Sequence, residues 1–306
     1  MNPTQKKIAV LLSTYNGEKF VFDLLESVLF QSNVDIKIHI RDDGSTDSTP
    51  NILSQYSDDQ RFKITFGENL GSSRSFYLLL EDAVSQNYPY YAFCDQDDIW
   101  LPDKLKIAVE CLENSNKNFY SSNRLIVRKK IFKILPPEDH KKVTYASMLF
   151  SNSSPGCTQV FDLEFAKKVL AILNGQETYF DWSLSLLAYS MGIAIHDPKS
   201  HIYYRIHDDN QIGVSGFLDF LIKPGLILSK LKSINEQIVQ HRQAASKSFD
   251  TKAQCLWDAL EGIEGVGFVR KIKSVFFLPR LSTSRLRNFF FKILIILNFF
   301  QLRSVD

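Results

Sequence analysis

A short apolar run that ends in a polar loop constrains the fold of this chain more than any other feature of the sequence. Residues 8–12 are wholly apolar, and the polar segment 13–17 follows them at once. An uninterrupted apolar run of this length is typical of a strand buried in a parallel sheet. In residues 18–31 apolar side chains recur at spacings of three and four, which predicts a helix with one face on that sheet.

The same unit repeats further along the chain. Residues 36–40 predict a second strand, which ends in the polar loop 41–50, and Ser48 or Thr49 is suited to cap the next helix. Alternation of strand, polar loop and helix indicates an α/β sheet. Sheets of this class bind ligands outside the carboxyl ends of their strands, so we expect these loops to meet at one crevice.

Three carboxylates crowd behind a further apolar and aromatic run. Asp95, Asp97 and Asp98 occupy three of four consecutive positions. Carboxylates this close repel one another and lose hydration, so a divalent cation that neutralises them is the simplest explanation. Oxygen ligands favour Mg²⁺ or Mn²⁺ over zinc, and such an ion usually leaves positions for phosphate oxygens. The pattern predicts a metal-dependent nucleotide site.

Residues 6–212 resemble the family 2 glycosyltransferases of the GT-A fold. The resemblance lies in four segments that occur in the family's order: Ser13-Thr14-Tyr15-Asn16, Asp42-Asp43-Gly44-Ser45-Thr46-Asp47, Asn69-Leu70-Gly71 and Asp95-Gln96-Asp97-Asp98. It implies a mixed, mainly parallel sheet flanked by helices, and inverting sugar transfer from a nucleotide-diphospho-sugar. We predict a catalytic domain at 1–216, with a nucleotide-sugar half at about 1–105 and an acceptor half at about 106–216, and a helical extension at 217–306.

The resemblance assigns the donor to these segments. Asp43 is predicted to accept the imide N–H of a pyrimidine, and Tyr15 to stack on the base, which favours uridine or thymidine over purines. The family pattern places Asp97 on the metal and Asp95 near the ribose or the metal's water shell. The other predicted nucleotide-binding residues are Ser13, Thr14, Asn16, Asp42, Asn69, Gly71, Arg74 and Gln96. Taken alone, residues 42–45 would be better explained as a solvated turn, and Asn16 as the end of a strand.

The acceptor half contains two further matches. Residues 153–161 resemble the family's Gly-Cys-Thr segment, which places Gly156 and Cys157 near the sugar, although a plain loop before a strand explains them nearly as well. Asp181 lies between aromatic residues at the start of a predicted helix and matches the family's catalytic Asp. It is the predicted general base for the acceptor hydroxyl, with helix capping as the alternative. Trp182 and Asp98 are also predicted to line the sugar site.

The segment 203–210 resembles the Tyr-Arg-x-His-x-x-Asn ending of a bacterial subgroup that includes many rhamnosyltransferases. The resemblance implies that His207 completes the metal shell or touches the diphosphate, and that Arg205 lies at the sugar. Asp208 stands where many relatives have Gly. The subgroup favours dTDP-rhamnose as the donor, and UDP-hexose or UDP-N-acetylhexosamine are the alternatives.

Charge separates the C-terminal part from the rest of the chain. Residues 217–306 carry a net charge of +7, and residues 1–216 carry −5. Cations at 280–288 precede an apolar run at 289–300 that Lys292 interrupts, and this run is shorter than the ~20 residues of a membrane span. We predict a helix lying on the anionic cytoplasmic face of the membrane. The alternative is a helix packed on its own domain or on a second subunit, as in a homodimer.

Location and partners follow from these patterns. No secretory signal is visible, and Cys94, Cys111, Cys157 and Cys255 lack paired or metal-binding spacing, which predicts reduced thiols in the cytosol. No basic segment accompanies a recognised nucleic-acid reader, so no nucleic-acid partner is expected. The predicted acceptor is a lipid-linked or growing bacterial cell-surface polysaccharide.

The sequence bears on three other classes of function. A non-catalytic sugar-nucleotide-binding scaffold stays open, although the presence of Asp97, Asp181 and His207 argues against it. A nucleotidyltransferase would normally have a Gly-rich phosphate loop after the first strand. A dinucleotide-dependent oxidoreductase would have Gly-x-Gly-x-x-Gly after Leu12, where this chain has Thr14 to Gly17 instead.

Overall fold

The computed structural model describes residues 5–128, 133–135, 143–207, 224–263, 266–282, 285–297 and 300. Asp208 and Asn210 of the predicted closing motif lie outside the described residues. The chain forms two compact units: unit 1 comprises Met1–Glu138, Ser154–Gln176 and Ala194–Gly213, and unit 2 comprises Asp139–Ser153, Glu177–Ile193 and Val214–Asp306. Two segments before residue 216 thus belong with the C-terminal helices. The predicted functional division at 216 stays a prediction.

Unit 1 is built on one mixed sheet. Its strands are β1 (Lys6–Thr14), β2 (Val34–Asp42), β3 (Phe62–Phe66), β4 (Tyr90–Asp95), β5 (Ile99–Trp100), β6 (Phe119–Arg128), β7 (Lys133–Leu135), β8 (Val160–Asp162) and β9 (Ala194–Ile206). The order is β3-β2-β1-β4-β8-β6-β9-β5, with β7 beside β6. Strands β3, β2, β1 and β4 are parallel, whereas β8 is antiparallel to both β4 and β6. The predicted mixed, mainly parallel sheet is confirmed.

Helices follow the strands in chain order. They are α1 (Val21–Leu29), α2 (Thr49–Ser54), α3 (Ser72–Val84), α4 (Lys104–Ser115), α5 (Tyr145–Phe150), α6 (Leu163–Ile172), α7 (Phe180–Ser190), α8 (Pro224–Ala245), α9 (Thr251–Ile263), α10 (Phe268–Phe277) and α11 (Arg285–Ile296), with 3-10 turns at Gly156–Thr158 and Ser246–Ser248. The helix predicted over 18–31 is shorter at both ends. Residues 18–20 form a turn, in which the Glu18 backbone N–H donates to the Asp47 side chain and the Phe20 N–H to the Gly17 carbonyl.

The predicted side-chain cap of α2 is wrong. Ser48 occupies the N-cap position, but its side chain makes no capping bond. Thr49 is already inside the helix, and its hydroxyl donates to Asp47 and accepts the Gly17 N–H at 2.8 Å. The hydroxyl of Thr49 therefore joins two loops rather than ending a helix.

Apolar burial on both faces explains the central strands. Residues 8–12 of β1 and 91–94 of β4 are fully buried, as are Leu24, Leu25 and Val28 of α1, which cover β1. Burying a Leu or Val side chain contributes roughly 1.5–3 kcal/mol, so the core fixes these strands firmly. The register aligns Ser13 with Asp95 and Thr14 with Asp42. The carboxyl ends of β1, β2 and β4, with their polar loops, therefore meet at one edge, as predicted.

Unit 2 is helical in its described part. Helices α5, α7, α8, α9, α10 and α11 contribute to one apolar core. A buried polar chain crosses it: the Trp257 indole N–H donates to the Tyr145 oxygen, and the Tyr145 hydroxyl lies 2.9 Å from His241 Nε2. Among the helices that the structure describes, none combines the length and the apolar character required to cross a bilayer.

Candidate active site

Asp42 joins the ends of two neighbouring strands. Its carboxylate is buried and accepts the Thr14 hydroxyl at 2.9 Å, the Ser45 backbone N–H at 2.9 Å and the Ser45 hydroxyl at 2.6 Å. Three donors from two loops hold one anion, which fixes the first two predicted nucleotide loops to each other. The direct nucleotide contact predicted for Thr14 and Asp42 stays a prediction.

Asp43 links the second loop to the third. Its carboxylate is buried, pairs with Arg41, and accepts the backbone N–H groups of Leu70 and Gly71 at 2.9 and 2.8 Å. Burial alone would raise the pKa of Asp43, but the bonds from Leu70, Arg41, Ser75 and Gly71 outweigh it and lower the pKa. Asp43 is therefore a fixed anion that joins the second loop to the third, and its predicted contact with the base stays a prediction.

Asn16 adds another link between the first two loops. Its side-chain oxygen accepts the Thr46 backbone N–H at 2.8 Å, and its own backbone N–H bonds Ser45 at 2.9 Å. The φ angle of Asn16 is +50°, in the left-handed region that Asn tolerates better than most residues. Asn16 thus turns the chain after β1, in line with the strand-ending alternative.

Gln96 holds the backbone of Tyr15. The Gln96 side chain accepts the Tyr15 N–H at 2.9 Å and donates to the Tyr15 carbonyl at 3.0 Å. Its amide also lies against Gly17, where a Cβ would be 2.3 Å from Oε1, so a larger residue at 17 would displace the Gln96 amide. The Tyr15 ring remains 43% exposed and is available for stacking. Gln96, a predicted nucleotide ligand, acts here on the loop that carries Tyr15.

The third loop starts helix α3. Gly71 is its N-cap with φ +83°, and the exposed Asn69 side chain accepts the Gly71 N–H at 3.1 Å. Arg74, in the first turn, donates to the Asn174 carbonyl at 2.7 Å and lies over the Tyr77 ring. The nucleotide contacts predicted for Asn69, Gly71 and Arg74 stay predictions.

Asp97 and His207 come together although 110 residues separate them. His207 Nε2 lies 2.8 Å from Asp97 Oδ2, and both side chains are largely buried. Phe20 stacks on the imidazole with 4.4 Å between ring centroids, which sets the plane of the ring. The resemblance implies that Asp97 binds the metal and that His207 binds the metal or the diphosphate, and the structure brings the two side chains into contact.

Arg205 binds the backbone of residues 95–98, which we call the acidic turn. Its guanidinium donates to the backbone carbonyl of Asp97, to that of Asp98 at 3.4 Å, and to Asp23 Oδ2 at 3.0 Å. It also lies over the Phe20 ring. These contacts make Arg205 a positioning residue for the acidic turn, whereas its predicted sugar contact stays a prediction.

Asp98 lies deeper than its two acidic neighbours. It is fully buried. A carboxylate oxygen of Asp95, one of Asp98 and the Cys157 sulfur all lie within 4.8 Å of one another. Burial and the charges of Asp95 and Asp97 raise the pKa of Asp98. Gly156 and Cys157 are also buried, in the turn Gly156–Thr158. Asp98 and Cys157 thus lie beside Asp95 in the interior of unit 1, and their predicted sugar contacts stay predictions.

Sequence reasoning missed Lys104. This lysine is 1% exposed, on the core side of α4, and its ammonium lies 3.6 Å from the centroid of the Trp100 ring. Burial lowers its pKa to about 8, against the charges of Cys94, Cys157, Asp98 and Asp95. The sequence did contain a sign of this burial, since Lys104 is next to Leu105 and four residues before Ala108, on the apolar side of α4. It places a cation behind the carboxylates.

The predicted base lies in unit 2. Asp181 is in the first turn of α7, where the helix dipole favours a carboxylate, and it accepts the Asn152 side-chain N–H at 2.9 Å. The N-cap of α7 is Tyr179, so the capping alternative for Asp181 loses its position. Trp182 is buried and donates its indole N–H to the Met148 carbonyl at 2.7 Å. The predicted sugar contact of Trp182 is untested.

The donor set fits a divalent cation. Carboxylate oxygens are ligands that Mg²⁺ and Mn²⁺ prefer, and among the described residues those of Asp95 and Asp98 lie within 4.8 Å of each other and of the Cys157 thiol. Burial first, and then the charges of Asp95 and Asp97, raise the pKa of the neighbouring Asp98, and a bound cation would offset the second of these causes. Asp95, with Asp98 beside it, is the carboxylate that the structure offers to a metal, and the predicted metal contacts of Asp97 and His207 stay predictions.

Solved structures share this architecture. Staphylococcus aureus TarS residues 1–349, in complex with UDP-GlcNAc, aligns with a TM-score of 0.57 at 18% identity, covering 96% of this chain and 89% of that one. The mannosyltransferase PcManGT from Pyrobaculum calidifontis, in complex with GDP-Man and Mn²⁺, aligns with a TM-score of 0.53 at 15% identity, covering 94% and 88%. The fold therefore defines a GT-A protein.

Sequence comparison gives the family. The sequence model described as Glycosyl transferase family 2 matches residues 9–163. The dTDP-rhamnosyl transferase RfbG of Shigella flexneri is 34% identical over 215 residues, which are 67% of this chain and 74% of that protein. The UDP-Glc:alpha-D-GlcNAc-diphosphoundecaprenol beta-1,3-glucosyltransferase WfaP of Escherichia coli is 27% identical and covers 65% of this chain and 77% of its own length. The chain belongs to glycosyltransferase family 2, whose members transfer sugars from sugar nucleotides.

Proposed function

We propose that this protein transfers L-rhamnose from dTDP-rhamnose to a hydroxyl group of a lipid-linked or growing bacterial cell-surface polysaccharide. The observation that carries the choice of donor is the 34% identity to a dTDP-rhamnosyl transferase over 67% of the chain. The lipid-linked acceptor is supported by WfaP, whose name specifies a diphosphoundecaprenol acceptor.

The donor half of the mechanism rests on unit 1. The exposed ring of Tyr15 would stack on the thymine, and Asp43, kept ionised by its bonds, would accept the imide N–H. Asp97, Asp95 and His207 would hold Mg²⁺ or Mn²⁺, which when bound neutralises charge on the leaving diphosphate. Gln96 and Arg205 would keep the Tyr15 loop and the acidic turn in place.

The acceptor half rests on Asp181. Its carboxylate would take the proton of the acceptor hydroxyl while the new bond to the anomeric carbon forms and the bond to the diphosphate oxygen breaks. The product would have the inverted configuration, and the nucleoside diphosphate would leave. Asn152, which donates to one carboxylate oxygen, would set the orientation of this base.

A second donor class has its own support. WfaP is named for UDP-glucose, and its similarity to this chain covers a comparable share of both proteins. A pyrimidine-reading Tyr15 and Asp43 would suit UDP as well as dTDP. UDP-hexose and UDP-N-acetylhexosamine are therefore the alternative donors, and a non-catalytic sugar-nucleotide scaffold is the remaining class.

The test is a donor panel. The purified protein is incubated with Mn²⁺, a membrane lipid extract and, separately, dTDP-rhamnose, UDP-glucose, UDP-N-acetylglucosamine and GDP-mannose, and nucleoside diphosphate release and glycolipid mass are measured. Release and a deoxyhexose mass increase with dTDP-rhamnose alone would support the proposal. Transfer from a UDP-sugar would replace the donor, and metal-dependent nucleotide binding without transfer from any donor would favour the scaffold.

A further inference from the structure

Helix α10 turns an apolar side away from the core of unit 2. Lys271 and Val275, four residues apart, are 5% and 0% exposed and form the buried side. Phe276 and Phe277 are instead 70% and 90% exposed. We call Phe268, Val269, Phe276 and Phe277, all exposed, the outer face of α10. A helix on the surface of a globular protein normally presents polar residues on that side.

Val269 and Phe276 form the centre of the outer face, and Phe268 and Phe277 flank it, each about a quarter turn away around the helix. Val269 and Phe276 are seven residues apart, which is about two turns, and Phe268 precedes Val269 directly. Phe277 extends the apolar surface at the C-terminal end. Clustered exposed aromatic side chains with a polar rim mark a surface that binds something, whereas isolated ones need no explanation.

The charged side chains of α10 and of the segment that follows it are all cationic. Arg270, Lys273 and Arg280 are exposed beside the outer face. From residue 265 to residue 305 the sequence contains eight Lys and Arg and neither Asp nor Glu. This surface therefore complements an anionic partner. Two copies of the chain meeting at this face would bring like charges together, which disfavours a second copy as the occupant.

The apolar run predicted to lie on the membrane is used differently. In α11, Phe291, Leu294 and Ile295 are buried in the core of unit 2. Lys292 of the same helix donates to the backbone carbonyls of Phe276 and Leu278 at 3.1 and 2.9 Å, which holds the end of α10 in place. The apolar content of 289–300 thus contributes largely to packing. Among the described residues, α10 has three exposed aromatic side chains and α11 has one, Phe289.

We propose that the outer face of α10 docks on an anionic lipid bilayer. Its Phe side chains would enter the boundary between headgroups and acyl chains, and Arg270, Lys273 and Arg280 would pair with lipid phosphates. Docking gives the enzyme access to a lipid-linked acceptor, and in this respect it rests on the proposed function. The docking itself requires neither donor nor turnover.

The test measures sedimentation of the full chain with vesicles of phosphatidylcholine, with and without phosphatidylglycerol. We expect binding to the anionic vesicles that weakens with salt, and a loss of at least about tenfold in the Phe276→Ser/Phe277→Ser double variant. The matched control is Phe30→Ser, since Phe30 is 74% exposed in unit 1, and it should bind like the wild type. Arg270→Gln/Lys273→Gln should bind weakly and with a reduced salt dependence, while Lys252→Gln, exposed on α9, should not.

Three outcomes would overturn the proposal: no binding to anionic vesicles, equal binding to both vesicle types, or equal loss in the Phe30→Ser control. A wild-type dimer in analytical ultracentrifugation that the double variant converts to a monomer would assign the outer face to a second copy instead. Nucleoside diphosphate release with a water-soluble acceptor is measured on the same samples. If the wild type fails to bind anionic vesicles but still releases nucleoside diphosphate, only the proposed membrane surface is contradicted. If it binds the vesicles but releases nucleoside diphosphate from no donor, only the proposed function is contradicted.

Discussion

The buried ammonium group of Lys104 is an unexpected charge in the interior of unit 1. In its buried position the pKa is lowered to about 8, from a usual value of 10.5, because burial disfavours the charged form. Between these two pH values the unfolded chain holds a proton that the folded protein has released. The free energy of unfolding must therefore rise with pH across this window.

Replacing Lys104 by Met removes this dependence. Between about pH 7 and about pH 10, the free energy of unfolding of the wild type should rise by about 2 kcal/mol more than that of the Lys104→Met variant. Urea unfolding in EDTA at both pH values measures the difference. Lys106→Met, at a half-buried neighbouring position, is the control and should follow the wild type. Parallel pH profiles for wild type and Lys104→Met would show that the buried ammonium is not penalised.

His207 is the second residue whose role can be isolated. If its imidazole completes the metal shell beside Asp97, the His207→Ala variant should need about 10–100-fold more Mn²⁺ for half-maximal activity. A Mn²⁺ titration of nucleoside diphosphate release provides this number. His39→Gln, which changes a buried histidine bonded to Asp82 in the same unit, is the control. An unchanged Mn²⁺ requirement in His207→Ala would mean that the contact between His207 and Asp97 stabilises the fold and does not bind metal.

At the element scale, the loops act as one assembly. Gln96 connects the acidic turn to the Tyr15 loop with two hydrogen bonds, each worth roughly 1 kcal/mol. Gln96→Ala should therefore raise the KM for the donor by about 5–30-fold with little change in kcat, because Tyr15 loses its position and the metal ligands keep theirs. Steady-state kinetics with varied donor tests this. Gln86→Ala, an exposed change elsewhere in unit 1, should leave KM unaltered, and an equal drop in kcat for Gln96→Ala would contradict the assignment.

The hydrogen-bonded side chains of Trp257, Tyr145 and His241 in unit 2 should make the fold less stable in acid. Burial lowers the pKa of His241 to about 3, so its neutral imidazole accepts the Tyr145 hydroxyl. The unfolded chain protonates this residue below about pH 6.5, and stability should fall by about 1.4 kcal/mol per pH unit as pH decreases from there. His241→Gln keeps an acceptor without titrating, so its slope should be shallower by that amount. Thermal unfolding at several pH values decides, and equal slopes would refute the prediction.

Strands were easier to predict than the contacts between loops. The strands β1, β2 and β4 followed from apolar runs, since burial on both faces leaves a local pattern. The convergence of their loops followed from parallel pairing. The bonds of Asp42 to Thr14 and Ser45 did not follow, because they depend on the relative placement of distant loops, and Asp and Ser are common in any turn. Likewise, the composition of α11 indicated apolar character but not which side faces the core.

At the scale of the whole molecule, the donor residues and the predicted base belong to different compact units. Asp97 and Tyr15 are in unit 1, and Asp181 is in unit 2 with Asn152. Donor binding and proton removal can therefore be separated by substitution. A change confined to Asp181 should leave the affinity for sugar nucleotide intact, since the donor loops of unit 1 are built without it.

The Asp181→Asn variant tests this separation most directly. The substitution keeps the size of the side chain and an oxygen that can accept the Asn152 N–H, but it removes the group that takes the acceptor proton. We expect kcat to fall by about 10²–10⁴-fold, the range of a general base, while the Kd for dTDP and its Mn²⁺ dependence stay unchanged in calorimetry. Asn152→Ala should lower kcat less, because it only frees the carboxylate to rotate. Wild-type turnover in Asp181→Asn would exclude this residue as the base, and a parallel loss of dTDP affinity would mean that Asp181 supports the donor site.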